Sequence, residues 1–317
     1  MPDVLFIKTS SLGDVIHHMP ALTEARAKLP DARFDWVVEE AFAPLVQLHP
    51  AVNRVIPVAA RRWRRAPREW ATWREIGRFL RELRARKYSQ IVDTQGLFFK
   101  SALIAGAARG RRHGYDSNSI KDSFACVFYN KRYSIERQQH AVARNRALTG
   151  KALGYEPEGA PDFGLDRGKL GCVSSAPYAV LLHGTAREDK EWPEANWRML
   201  SGSLGTGIDL VVPYGTEAEQ ERASRIAAAS SRARVPDRTP LDQMARLIAG
   251  ASFVVGVDTG LLHLAAALGV PLVAIFRSSK PGLTGPMGSG PITVLGEFGD
   301  VPVADVIDAV RALGFLN

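Results

Sequence analysis

Residues 4–28 read VLFIK-TSSLG-DVIHHMPALTEARAK: a short apolar run, a small polar loop, then a segment with helical patterning. A strand that hands over to a helix in this way opens a βα unit, and repetition of that unit builds a parallel sheet. The unit recurs. Strands are expected at 4–8, 33–38, 54–58 and 90–94, with helices at about 14–28, 67–86, 97–107 and 140–153. The stretch 156–175 is rich in Gly, Pro, Asp and Ser and lacks apolar periodicity, which marks a linker. A second series follows, with strands at 178–183, 208–212, 253–257, 272–276 and 292–295. Its helices are expected near 194–204, 217–229, 241–249 and 260–268, and Val303 to Leu313 reads as a last helix. The fold class is therefore α/β, with two doubly wound, Rossmann-like halves, 1–160 and 161–317. Ligands are expected in a cleft between the carboxyl ends of their strands.

A length of 317 residues suits two such domains. The start, MPDVLFIK, sets an acid before a very short apolar run, unlike a signal peptide, so a cytoplasmic location is expected. The longest apolar stretch, Leu261 to Phe276, contains His263, Gly269 and Pro271 and falls short of the roughly 20 residues that span a bilayer. Cys126 and Cys172 lie far apart with no metal-ligand spacing, and both are expected to be reduced and structural. The net charge of +8 is unevenly placed: residues 1–160 carry 27 Lys and Arg against 16 Asp and Glu, and residues 61–87 alone carry 11 against 3. Such a face implies an acidic partner, either nucleic acid, an anionic membrane surface, or a substrate bearing phosphates and carboxylates. No nucleic-acid reader motif accompanies the charge.

Ser10, Ser11, Gly13 and Asp14 sit where the first strand hands over to a helix, and free backbone N–H groups there can meet an anion or a sugar oxygen. Asp14 has two readings: a general base for a sugar hydroxyl, or a helix N-cap. From Pro67 onward, aromatic and aliphatic residues recur near helical spacing and are expected on a buried face. Arg61, Arg62, Arg64 and Arg65 crowd into what reads as a loop before that helix, an arrangement suited to a multivalent anion. In the second half, Thr185 and Lys190 follow a strand and are expected to face the cleft, where an ammonium can neutralise a departing diphosphate. The run FVVGV-Asp258-Thr259-Gly260-Leu261-Leu262-His263 is a buried strand, a polar turn and an apolar helix. N–H groups at Thr259 and Gly260 suit a phosphate, whereas His263 reads either as a ligand contact or as a core histidine. A full GxGxxG and any Asp-x-Asp pair are absent, so neither a dinucleotide fingerprint nor a divalent metal is expected.

Together, KTSSLGDVIHHMPALTEA, FDWVVEEAFA, VIPVAARRWRR, LLHGTAREDKEWP and VVGVDTGLLHLAAAL resemble the ADP-heptose lipopolysaccharide heptosyltransferases of glycosyltransferase family 9, over both halves to about Gly285. The resemblance implies a GT-B fold and inverting, metal-independent transfer of L-glycero-D-manno-heptose from ADP-heptose to the first Kdo of Kdo2-lipid A. It implies no cofactor, and a peripheral site on the cytoplasmic face of the inner membrane, where that glycolipid lies. By the same resemblance Asp14 is the base, and Ser10, Ser11, Arg61, Arg62, Arg64, Arg65 and Lys121 bind the acceptor. Thr185, Lys190, Glu219, Asp258, Thr259, Gly260 and His263 bind the donor. Two departures stand out: Ala186 replaces a threonine, and Arg277-Ser278-Ser279-Lys280-Pro281-Gly282 replaces Gly-Pro-Thr-Asp-Pro-Gly, removing an acid and adding two cations. A later heptose transfer within the family is the alternative enzyme, although the arginine-rich segment favours the first. A non-catalytic module gripping anionic lipid or nucleic acid is the alternative of another class.

Overall fold

The computed structural model describes residues 2–171, 176–205 and 207–315. The chain divides into two compact units, Met1–Gly164 and Leu165–Asn317. In the first, the strands are β1 Asp3–Ile7, β2 Arg33–Glu39, β3 Val52–Val58, β4 Lys87–Asp93, β5 Arg109–Tyr115 and β6 Lys131–Tyr133. They lie in the order β3-β2-β1-β4-β5-β6, every pair parallel. The second unit holds β7 Tyr178–Leu182, β8 Asp209–Val211, β9 Ala233–Arg234, β10 Phe253–Val257, β11 Leu272–Ile275 and β12 Ile292–Leu295. Their order, β12-β11-β10-β7-β8-β9, again all parallel, is the first unit's order written from the other end.

Helices cover both faces of such sheets, so central strands must be apolar throughout. Every residue of β7 and β10 is buried, as are Val4 to Ile7 of β1. In the second unit Leu181, Val255 and Val273 pack with Trp197 and Leu200 of the helix Glu194–Leu204 and with Val306 and Val310 of the helix Val303–Ala312. The order of strands reverses between β1 and β4, and again between β7 and β10. Parallel strands place all following loops of a unit on one edge, and the reversal opens a crevice there.

Several elements differ from the sequence expectation. β5 was hidden because RGRRHGY has neither alternation nor an apolar run, while β6 and β9 are too short to show a pattern. The first helix is two, Leu12–Ile16 and Met19–Lys28, because Pro20 has no N–H to continue the ladder. Arg61 to Arg65 lie on a helix, Ala60–Arg65, rather than in a loop. The helix Trp70–Arg84 buries Thr72, Phe79 and Leu83, but Trp70 and Trp73 are exposed, against the expected buried face. Inside the expected linker a short helix, Arg167–Leu170, is capped by Asp166, whose carboxylate accepts from the N–H groups of Gly168 and Lys169. Residues 172–175 of that stretch, Cys172 among them, lie outside the described residues. Cys126 is buried and unbridged. Among the described residues no helix is long and apolar enough to cross a membrane.

Candidate functional site

Each unit presents its candidate residues on the carboxyl edge of its sheet. In the first, the chain leaves β1 through Lys8, Thr9, Ser10 and Ser11. Gln95, which follows β4 next door, accepts through Oε1 from the N–H groups of Thr9 and Ser10 at 3.1 and 3.2 Å. Asp93 anchors Gln95 in turn, accepting from the Gln95 and Gly96 N–H groups at 2.9 and 3.1 Å and from the Tyr129 hydroxyl at 2.7 Å. Ser11 is the N-cap of the helix Leu12–Ile16, and Asp14 is its third residue. The Asp14 carboxylate accepts from the Ser11 N–H at 2.8 Å and from the Ser11 hydroxyl at 2.9 Å, both on Oδ2. Asp14 is thus the partner in a capping box, and the N-cap itself is Ser11. Ser10 is buried and Ser11 exposed, so only Ser11 offers its hydroxyl at the surface.

Lys8 is buried behind this loop, donating to the Thr94 carbonyl at 2.9 Å and to Asn145 Oδ1 at 3.5 Å. Burial pushes its ammonium below the usual lysine range, while the carboxylates of Asp14 and Asp93 oppose that shift and Arg144 adds to it. The four arginines divide by role. Arg62 is held by Glu40, at 3.0 and 2.9 Å, and by Glu75 at 2.8 Å, which accounts for its guanidinium within the fold. Arg61 lies 5.2 Å over the Phe42 ring, and Arg64 donates to the Ala60 carbonyl; among the described residues no carboxylate pairs with Arg61, Arg64 or Arg65. Lys121 is exposed in the loop after β5.

In the second unit four side chains converge on Asp258, which directly follows β10. Lys190 Nζ donates to Asp258 Oδ2 at 2.5 Å, Ser279 Oγ donates to the same oxygen at 2.5 Å, and His263 Nε2 lies 3.6 Å from Oδ1. Thr185 Oγ1 donates to the Asp258 carbonyl at 3.0 Å. Burial pushes the Asp258 carboxyl upward, but the His263 imidazole beside it, the hydrogen bonds from Lys190 and Ser279 and the Lys190 charge outweigh it and hold the group well below the usual carboxylate range. Thr259 caps the helix Gly260–Ala267, whose first N–H groups open beside this cluster. His263 is therefore both a buried helix residue and a partner of Asp258.

Glu219, third residue of the helix Glu217–Ala227 that follows β8, completes the edge. Its carboxylate accepts from the N–H groups of Gly215 and Thr216 at 2.7 and 3.2 Å, in a capping box with Thr216. A Cβ on Gly184, just after β7, would lie 2.8 Å from Glu219 Oε1, so only glycine leaves the carboxylate in place. Gly184→Ala should push the Glu219 carboxylate off the Gly215 and Thr216 N–H groups while Thr216 still caps the helix, and lower stability by up to about 1 kcal/mol in a denaturant titration. An open cavity of about 400 Å³ lies nearby, lined by Glu191, Trp192, Arg222 and Arg277 among others, but none of the candidate donor residues lines it. Arg222 there pairs with Glu191 at 2.6 Å, and Arg277 pairs with Asp300 at 2.6 Å.

Lys8, Asp93, Gln95 and Ser279 were not among the residues expected from the sequence. Their only signal was position: polar residues at or shortly after the carboxyl ends of strands. Among the described residues no group of three or more His, Cys, Asp or Glu side chains is arranged to hold a metal ion.

The chain is similar to known proteins in sequence and in fold. The profile of glycosyltransferase family 9 (heptosyltransferase) matches residues 76–305. Lipopolysaccharide heptosyltransferase 1 of Salmonella typhimurium is 46% identical over 289 residues, which cover 90% of this chain and 91% of that protein. The protein of the same name from Pseudomonas aeruginosa is 45% identical over 304 residues, 94% of this chain and 85% of its own. The solved structure of E. coli heptosyltransferase WaaC with ADP matches with a TM-score of 0.92 at 40% identity, covering 98% of this chain and 99% of that one. Two Rossmann-like units in one chain are the GT-B type of α/β architecture, and the protein belongs to glycosyltransferase family 9, the heptosyltransferases.

Proposed function

We propose that the protein transfers L-glycero-D-manno-heptose from ADP-heptose to the first Kdo of Kdo2-lipid A, in assembly of the lipopolysaccharide inner core. The observation that carries this reading is the identity with proteins named heptosyltransferase 1, which extends over nine-tenths of the chain. The acceptor is assigned to the first unit and the donor to the second. Asp14 Oδ1, which takes no part in the capping box, accepts the proton of the Kdo hydroxyl as its oxygen attacks the anomeric carbon. The bond to ADP breaks with its electron pair passing to the diphosphate, and configuration inverts. Lys190 and the N–H groups at Thr259 and Gly260 meet the growing charge of that diphosphate. Glu219 is assigned to the ribose and His263 to the heptose side. Arg61, Arg64, Arg65 and Lys121 hold the acceptor's phosphates and carboxylates, with Arg62 fixing the helix that presents them.

This set supplies positive charge without a divalent cation, so transfer is proposed to be metal-independent. The acceptor is a membrane glycolipid, which places the protein peripherally at the anionic cytoplasmic surface of the inner membrane. Incubation with ADP-heptose and de-acylated Kdo2-lipid A should release ADP and add one heptose to the acceptor mass. Turnover should be unchanged in EDTA. Transfer only to an acceptor that already carries heptose would instead assign a later step of the core, and loss of activity in EDTA restored by magnesium would overturn metal independence.

A further inference from the structure

The first unit carries a surface that the transfer chemistry does not use. Phe99 and Phe124 are 80% and 74% exposed, and Leu103 and Val127 beside them in sequence are exposed as well. They sit on two segments, 98–107 and 123–128, that follow β4 and β5. The segments are pressed together: the Phe98 and Phe128 rings lie 5.6 Å apart, and a Cβ on Gly106 would come within 2.4 Å of the Phe128 ring. The Phe98 N–H also donates to Asp122 Oδ2 at 2.9 Å, tying the start of one segment to the start of the other. Singly exposed apolar residues are ordinary, but four large ones on two locked segments form a patch.

Charge on the same sheet edge says what would cover it. Lys100 and Lys121 belong to these segments and their lead-in, and Arg61, Arg64 and Arg65, whose guanidinium groups pair with no carboxylate among the described residues, follow β3 farther along that edge. The Asp14 loop, after β1, lies between the two groups in the strand order. Exposed Trp70 and Trp73 stand at the start of the helix that follows the arginines, and indoles favour the level of lipid headgroups. Aromatic side chains rimmed by cations match an anionic bilayer, with rings in the acyl boundary and ammonium groups among the headgroups.

We propose that this face seats the first unit on an anionic bilayer, with Phe99 and Phe124 as the inserting side chains. The proposal rests on the reading of a lipid acceptor, since it brings the arginine helix and the Asp14 loop to the surface where that acceptor's headgroup lies. The test is co-sedimentation with vesicles of phosphatidylglycerol and phosphatidylcholine that contain no acceptor, with pure phosphatidylcholine vesicles alongside. The wild-type protein should sediment with the anionic vesicles. The double variant Phe99→Ser, Phe124→Ser should partition at least about tenfold more weakly, yet turn over the soluble de-acylated acceptor as the wild type does. Phe124→Trp should partition at least as strongly as wild type. Undiminished partitioning of the double variant, or weakened partitioning of Phe124→Trp, overturns the proposal. So does a wild-type dimer in light scattering that the double variant converts to monomer with vesicle binding unmoved, which would make the patch a protein interface. Failure of the heptosyl-transfer reading would show separately, as absent turnover in the wild type and the variants alike.

Discussion

Asp14→Asn should lower kcat by about 10²- to 10⁴-fold, the span that a positioned general base contributes, while ADP-heptose binding measured by calorimetry stays unchanged. The choice of asparagine decides between the two uses of this side chain. Asp14 Oδ2 accepts from both the N–H and the hydroxyl of Ser11, and an amide oxygen in the same place can accept both. The capping box therefore persists in Asp14→Asn, and with it the course of the chain from β1 into the helix Leu12–Ile16. Asp14→Ala also removes the carboxylate's half of the capping box, with Ser11 still the N-cap, and should cost about 1 kcal/mol of stability beyond the asparagine variant. If Asp14 served only the cap, asparagine would restore turnover and alanine would not. Near-normal kcat in Asp14→Asn would remove the residue from the base's role. Equal, large losses in both variants, with the asparagine protein as stable as wild type, are what proton transfer at this carboxylate requires.

The difficulty of reading Asp14 from the sequence has a physical origin, since a cap and a base ask for the same residue at the same strand-to-helix junction. The resemblance of its surroundings to a known family is what favours the base, and spacing alone does not choose between them. β1, β7 and β10 were legible because burial on both faces leaves an unbroken apolar run. β5 was not, because its strand character comes from pairing with β4 and β6 and not from its own composition. Trp70 and Trp73 fit a helical stripe as well as Phe79 and Leu83 do, and periodicity cannot tell which part of a stripe finds a partner. The loop's supports were further out of reach. Gln95 meets Thr9 across 86 positions of chain, and Ser279 meets Asp258 across 21, through adjacency of strands that only the sheet order reveals. In the 277–280 stretch the departure from the family pattern still delivers a hydroxyl to Asp258.

Lys190→Met should show two separable losses. The ammonium and the Asp258 carboxylate form a pair whose side chains are 19% and 8% exposed, so removing the cation leaves a carboxylate in low dielectric with Ser279 and His263 beside it. Breaking a buried pair costs about 3 to 5 kcal/mol, and the partial exposure of Lys190 points to the lower end. The pH dependence has a definite sign. In the wild type the folded-state pKa of Asp258 is depressed, so its contribution is fully present above the ordinary carboxylate range and is lost only as pH falls through the depressed value. Without Lys190 the burial remains and the largest charge opposing it is gone. The folded-state pKa must rise, and the acid limb of a Tm-against-pH curve should move toward neutral pH. The catalytic loss is independent of this, because the same ammonium is assigned to the departing diphosphate; kcat should fall by about 10²- to 10³-fold at a temperature where the variant is folded. Lys190→Arg tests the division. A guanidinium can still pair with Asp258 and restore the acid limb, but its planar fork does not put a point charge where the ammonium stood, so turnover should recover less than stability does. Full recovery of turnover in Lys190→Arg would show that charge alone matters at this position. Unchanged turnover in Lys190→Met would confine the residue to holding Asp258 and leave the helix end at Thr259 and Gly260 as the stabiliser of the leaving group.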